Sequence, residues 1–405
     1  MSTTRTPPVW VMGLTNLPLG ISGAVTLLIV PQLLSALRVP EPRIAAITGL
    51  ALAAGFSSVP ATPILDVRFS RKTYTIAFTI LTGVLCTVAL LEIENLAILG
   101  WLLFAAMFSV QLAVAAGGGW LGSLVAKEDD GKLAAWFTVG NIAGFGVTSV
   151  VGVWLLRHLP QGAGAVVLGV IVASPAIICL LIPGRAPDRR LASESFGRFF
   201  GDVLALIRRP SVLLTVLLFA APAASFALTN TLGGLGRDYS ASEQFVSLAG
   251  GVGVTVAGVV GSLLAPRLAE RLAPRVLYLL IGTVGSLFTL SLIVLPRTPA
   301  FFAVAMAGEN ICQAAAFATG NVVMFRTMGK DNPLAATEFG ILTAAVGVPL
   351  TYMQIVDGRA YGVGGLTGAY LADAGLGLGA CAVLAIVLFL ARRIIDQPAQ
   401  TRPQP

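Results

Sequence analysis

The sequence predicts an all-α, polytopic membrane protein with twelve transmembrane helices in two six-helix bundles. Three observations carry that prediction. Of 405 residues, 56% are hydrophobic and only 11% are charged, against about 25% charged in an ordinary soluble domain. Twelve apolar runs can be counted along the chain, each near the roughly 20 residues that a helix needs to cross a hydrocarbon core. One long polar stretch near the middle separates six of them from the other six. A soluble chain of this length could not hide so many apolar side chains. With a mean hydropathy of +0.87, the composition excludes a soluble enzyme, a disordered chain and a nucleic-acid binder.

The first run begins near Trp10 behind a single Arg5, contains Pro18 and Pro31, and lacks a small-residue cleavage site. It reads as a retained helix, not a signal peptide. The first six spans are expected at 10–34, 44–65, 73–92, 97–125, 133–156 and 164–183. The second six are expected at 211–232, 244–265, 276–295, 301–324, 334–356 and 367–391. Gly, Pro and charge mark the breaks, as in Val39-Pro-Glu-Pro-Arg43, Lys127-Glu-Asp-Asp-Gly-Lys132 and Pro296-Arg-Thr-Pro299. With the amino terminus inside, 20 of the 26 basic residues fall in inside segments and 6 in outside ones. Basic residues collect on the cytoplasmic side, so both termini are expected there, and the net charge of +7 needs no acidic partner. One span too many or too few would scramble the bias.

Three regions follow: residues 1–183 as an amino-terminal six-helix bundle, 184–210 as a cytoplasmic linker, and 211–405 as a carboxy-terminal bundle with a short polar tail. Within the linker Phe196, Phe199, Phe200, Val203, Leu204 and Ile207 repeat at helical spacing. Ser193 suits the cap of such a helix, Glu194 its first turn, and Arg208 and Arg209 its last. An amphipathic helix on the inner membrane surface is expected, with a disordered linker as the alternative.

The halves echo each other. Leu133-Ala134-Ala135 opens the fifth span and Leu334-Ala335-Ala336 the eleventh, 201 residues apart. Pro63-Ile-Leu-Asp66-Val-Arg68 ends the second span and Pro266-Arg-Leu-Ala-Glu270-Arg271 the eighth, about 203 apart. Six-plus-six repetition is a transporter architecture.

The segment Pro63-Ile-Leu-Asp66-Val-Arg68-Phe-Ser70-Arg71-Lys72 resembles the signature loop of the major facilitator superfamily. Val67 and Ser70 stand where that pattern has a basic residue and a glycine. Ala335-Ala336-Thr337-Glu338-Phe339-Gly340-Ile341-Leu342-Thr343 is similar to the start of the eleventh helix in the branch with muropeptide permeases, acetyl-CoA transporters and siderophore permeases. The resemblance implies the major facilitator fold and a monomer. It also implies a central cavity lined by helices one, four, seven and ten. Asp66, Arg68, Arg71 and Lys72 would then form an inter-helix charge latch that holds the outward-facing state. Glu270 and Arg271 would be the corresponding pair of the second half. The alternative for Asp66 is a helix-end acid among ordinary topogenic charges.

Ionisable groups inside a bilayer cost about 2.5–3.5 kcal/mol at a helix centre, so the few present are functional candidates. Glu309 lies a third of the way into the tenth span and shares a helix face with Gln313, four residues on; Asn310 is its neighbour. Glu309 is expected to be a cavity carboxylate that binds a cationic group or carries a coupling proton, with a structural carboxylate as the alternative. Glu338, one turn inside the eleventh span, either pairs with Arg326 or Lys330 in a cytoplasmic gate or is a solvated helix-start acid. Asn16, Gln111, Asn230, Asn141 and Gln354 complete a polar, mostly uncharged set. Glu92, Glu94, Asp357 and Asp373 are expected at outer helix ends, in contact with solvent. Gly118-x-x-x-Gly122, Gly140-x-x-x-Gly144 and Gly375-x-x-x-Gly379 should allow close helix packing. Pro18, Pro222 and Pro349 should bend the first, seventh and eleventh spans.

Four scattered cysteines (Cys86, Cys179, Cys312, Cys381), one histidine (His158) and no phosphate-binding loop leave no material for a disulfide framework, a metal site or nucleotide hydrolysis. No cofactor and no nucleic acid are expected. The expected function is secondary transport of a small organic solute in a bacterial inner membrane, most simply proton-coupled import. A transport-fold receptor or assembly factor is the alternative. A membrane enzyme would need clustered His, Asp or Glu that this chain lacks.

Overall fold

The computed structural model describes residues 7–184, 196–230 and 232–395, and every element among them is helical. Nine helical runs are long and apolar enough to cross a membrane, and two bent pairs raise the number to eleven. Gly365 supplies the twelfth. The run Ala335–Ile395 is helical on both sides of it, but Gly365 itself has φ 59° and ψ −153°, a conformation open to glycine and hostile to a Cβ. Ala360 O lies against Gly368, although a straight helix would hold those residues about 12 Å apart. The run therefore folds back on itself as helices eleven and twelve.

Proline shapes several spans. The first, Val9–Ala36, passes through a tight turn at Leu14–Asn16 before Pro18 and a wide one at Val25–Ile29 before Pro31, because each proline removes a backbone donor. The second is a bent pair, Arg43–Ser57 and Val59–Asp66, meeting at 47°. Helices seven, nine and ten start at Pro210, Pro274 and Pro299, where the missing N–H costs nothing. Ser70 and Ser242 cap helices three and eight by accepting from Thr73 N and Phe245 N. The seventh span departs from expectation. It is helical over Pro210–Ala220, then Pro222 breaks it into tight turns that continue to Tyr239.

The linker helix runs from Phe196 to Ile207; Ser193 and Glu194 lie outside the described residues. Leu204 and Ile207 are exposed as expected, but Leu206, off the anticipated stripe, is fully buried. It packs with Val203, Val67 and Leu334, so this helix also rests on protein from both halves of the chain.

Close packing follows glycine faces, with one correction. A Cβ at Gly119 would stand 2.6 Å from Ala336 N, and one at Gly118 would strike the Phe339 ring; helix four meets helix eleven there. Gly140 and Gly144 lie against Gly13 O and Leu17 O, bringing helix five onto helix one. Gly375 and Gly379 meet nothing within 4 Å. On helix twelve the glycine that packs is Gly377, where a Cβ would sit 2.6 Å from Ser286 Oγ.

Candidate functional site

The loops after helices two, four and ten converge at one end of the molecule, here called the basic end. Asp66 closes the second span there. Its side chain is fully buried and accepts four hydrogen bonds. Arg71 Nε donates to Oδ1 at 2.6 Å. Ala336 N donates to Oδ1 at 3.1 Å, and Thr337 N and Oγ1 donate to Oδ2 at 2.8 and 2.7 Å. Thus an acid of the first half caps a helix of the second half, where the helix dipole favours negative charge. Arg71 extends the tie by donating to the carbonyls of Asn332 and Pro333 at 3.2 and 2.7 Å.

A second tie lies beside it. Lys330 Nζ reaches Asp130 Oδ1 at 2.5 Å and Gly122 O at 2.9 Å. Beneath both, Phe137 of helix five meets Phe325 and Phe339 of helices ten and eleven, with centroids 6.3 and 6.0 Å apart. Asn321 Nδ2 donates to Thr138 Oγ1 at 3.1 Å at the same crossing. A polar layer over an aromatic layer closes this end.

Not every expected latch residue crosses between the halves. Lys72 donates to the carbonyls of Leu180 and Ile182 and lies over the Trp120 ring, all in the first half. Arg275, which sequence reasoning passed over, sits 203 positions later and binds Ser211 O and Thr215 Oγ1 of helix seven. These two equivalent cations pin each half together, and the repeat offset was the signal that could have found Arg275. Arg68, exposed, lies over its neighbour Phe69, and Glu270 and Arg271 are exposed. At the offset of 203, Asp66 corresponds to Ala269, so the second half carries no counterpart of the capping acid. Glu338 is fully buried and pairs with neither Arg326 nor Lys330. It accepts from Asn332 Nδ2 at 2.6 Å, while its Oε1 has no partner.

Within the spans, Glu309 is 0% exposed. Its Oε1 accepts a very short bond from Thr289 Oγ1 of helix nine, and its Oε2 has no partner. It is therefore enclosed and bonded to a helix of its own half. Gln313, one turn on, donates to Thr229 Oγ1 at 2.6 Å and Phe226 O at 3.3 Å, linking helix ten to the irregular seventh span. Asn310 turns back to Met306 O. Asn16 Nδ2 donates to Phe137 O at 2.9 Å, joining helices one and five, and its Oδ1 is unpartnered. Gln111 Nε2 lies by Gly55, the backbone of Asn141 packs on Gly20, Gln354 is half-buried and Asn230 is exposed. The amides are thus spread along the interior and do not form one cluster. Asp357 and Asp373 depart most from expectation: they are 2% and 7% exposed, not solvated.

No protein-family model matches the chain, and no curated protein matches it in sequence. Solved structures do match. A major facilitator superfamily transporter, FucP, in the outward conformation is 17% identical, with a TM-score of 0.70 over 95% of this chain and 99% of that one; another structure of it is titled the E. coli fucose:proton symporter. The proton:xylose symporter XylE is 14% identical, with a TM-score of 0.68 over 94% of both chains. A bacterial homologue of the iron transporter ferroportin, in its outward-facing state, is 14% identical, with a TM-score of 0.67 over 95% of this chain and 99% of that one. At such identities the likeness speaks for architecture alone, and the architecture is that of a multi-pass membrane protein with the major facilitator fold.

Proposed function

We propose that the chain is a secondary active transporter that moves a small organic solute by alternating access. The observation that carries this reading is the junction at Asp66. Above the aromatic layer of Phe137, Phe325 and Phe339, one carboxylate accepts hydrogen bonds from the first turn of a helix of the other half. Such bonds can be exchanged for water and remade, so the contact suits a gate. In this reading residues 1–183 and 211–405 are the two moving bodies, 184–210 connects them, and the chain works as a monomer.

The basic end faces the cytoplasm, on the strength of the 20-to-6 bias of basic residues. Both termini then lie in the cytoplasm of a bacterium, the inner membrane is the host, and the closed gate shuts this state to the cytoplasm. Glu309 is the proposed proton carrier, because a buried carboxyl with a free oxygen can gain and lose a proton without breaking a network. The mostly uncharged set of interior polar residues suits a neutral cargo. Sugars and amino sugars lead, in keeping with the fucose and xylose symporters of the same fold, and siderophores and acyl-carrying metabolites follow. Import down a proton gradient is the proposed direction.

The test begins with thermal-shift screening of the purified protein against these solutes at acidic and neutral pH, since a ligand of the folded state raises Tm by mass action. A hit is then offered to proteoliposomes with an imposed proton gradient. Concentrative uptake that collapses with the gradient is expected; a ligand that binds but never crosses refutes transport.

A further inference from the structure

The structure leaves three buried acids in the second half short of partners. Glu309 Oε2, both oxygens of Asp357 and Asp373 Oδ1 accept no hydrogen bond, although these residues are 0%, 2% and 7% exposed. Among the described residues no lysine or arginine forms an ion pair with any of them. An ionised carboxylate in such a place would lack both water and a counter-charge, a combination that proteins avoid by neutralising the group.

They also lie level with one another. Asp357 and Asp373 are eight residues before and after Gly365, where helices eleven and twelve fold back. Each is about 12 Å from that turn along its helix. Glu309 is ten residues into helix ten from Pro299, about 15 Å from the same end of the bundle. Helix ten and the segment after the fold-back also pack together, with Phe302, Ala305 and Met306 in one buried cluster with Leu366, Ala369 and Tyr370.

The remaining groups around them are uncharged or distant. Helix nine offers Thr289, and helix ten offers Cys312. Tyr239 and Tyr370 close the outer side, hydroxyl to hydroxyl at 2.7 Å. Arg297, bonded to Thr367 Oγ1, and Asp238 act on that tyrosine pair. Among the described residues no three His, Cys, Asp or Glu side chains are placed to hold one metal ion. The acids share one buried neighbourhood without being placed to chelate.

We propose that Glu309, Asp357 and Asp373 form a proton-holding site inside the second half, with one proton stored on each carboxyl. This deepens the transport reading, which assigned a proton to Glu309 alone, and rests on it only for what the protons drive. Three like charges cannot coexist there, so loss of a proton from one acid makes the other two hold theirs more firmly. The site would release protons singly.

The test reads protons, not transport. Infrared spectra of the lipid-reconstituted protein are recorded at neutral pH for wild type, Glu309→Gln, Asp357→Asn and Asp373→Asn, with no solute present. The carbonyl stretch of protonated carboxyl groups is expected in wild type, and each substitution should remove part of it and shift what remains. Should a substituted chain fail to fold, Asp373→Glu replaces it, and a displaced band is then expected. A wild-type spectrum without protonated carboxyl overturns the proposal, as do substitutions that leave the band untouched. Discharge of the band by sodium ions at constant pH also overturns it, by making the site one for an alkali cation. Failure here would leave gradient-driven uptake standing, and failure of uptake would leave the band.

Discussion

Asp66 and Glu309 are both buried carboxylates in a chain with few charges, yet they are held in opposite ways. Asp66 accepts four hydrogen bonds, one from an arginine and three from the first turn of a helix in the other half. Glu309 accepts one, from a threonine of its own half, and leaves an oxygen empty. Hydrogen bonds to charged groups contribute about 1.5–3 kcal/mol each, so the first acid is tied firmly to its neighbours and the second is held by a single bond. The difference separates two jobs that burial alone would confuse: one acid ties moving parts together, and the other can change its proton.

The largest effect should follow from Asp66→Ala. It leaves Arg71 and the start of helix eleven without their shared acceptor, and breaking a buried pair costs about 3–5 kcal/mol. A marked fall in Tm is expected, with cysteine accessibility at the basic end rising as the gate opens. The milder Asp66→Asn should slow turnover while solute affinity stays within about twofold, less than 0.5 kcal/mol. Complete loss of solute binding in Asp66→Asn would contradict a latch.

Glu309→Gln should do the reverse. The amide keeps the shape and can still accept from Thr289, so Tm should stay near the wild-type value. Gradient-driven accumulation should vanish while solute exchange continues. Accumulation at the wild-type level would remove Glu309 from proton coupling and leave it as a structural acid.

Lys330→Met probes whether the second tie repeats the first. Asp130, 1% exposed, loses a lysine that is 29% exposed, so solvent reaches one partner of the pair and not the other. A smaller loss than that of Asp66→Ala is expected, with less opening at the basic end. An equal effect would mean that the two ties share the load, despite the absence of a capping acid at Ala269.

How much of this was legible beforehand differs between the two acids. The spans and their doubling could be read because bilayer thickness imposes length and apolar composition on each helix. The latch could be read because Asp66, Arg71 and the Ala335–Thr337 turn each carry a local pattern. Their union across 270 positions could not, since no local rule pairs a loop with a distant helix start. The interior was less legible. Glu309 stood out as a charge inside an apolar run, but its partner Thr289 looked like any helical threonine. Asp357 and Asp373 stand near the expected helix ends, but the helices run on to the fold-back at Gly365, which leaves both acids about two turns inside. Gly375 and Gly379 matched a spacing, and the spacing alone did not say which face of helix twelve meets a neighbour.

Glu338 decides whether position or bonding explains the contrast. It stands at the gate, one residue beyond Thr337, yet it is bonded as Glu309 is: one donor, Asn332 Nδ2, and one oxygen without a partner. If location made an acid a latch, Glu338→Gln would weaken the junction as Asp66→Asn does. If bonding decides, the amide costs little, because its oxygen still accepts from Asn332 and its new N–H₂ group takes the place of an oxygen that bound nothing. The expected change in Tm is the smallest of the set, with basic-end accessibility as in wild type. A larger loss would show that the charge of Glu338 matters to the gate beyond its bond to Asn332. That result would enlarge the latch from one carboxylate to two.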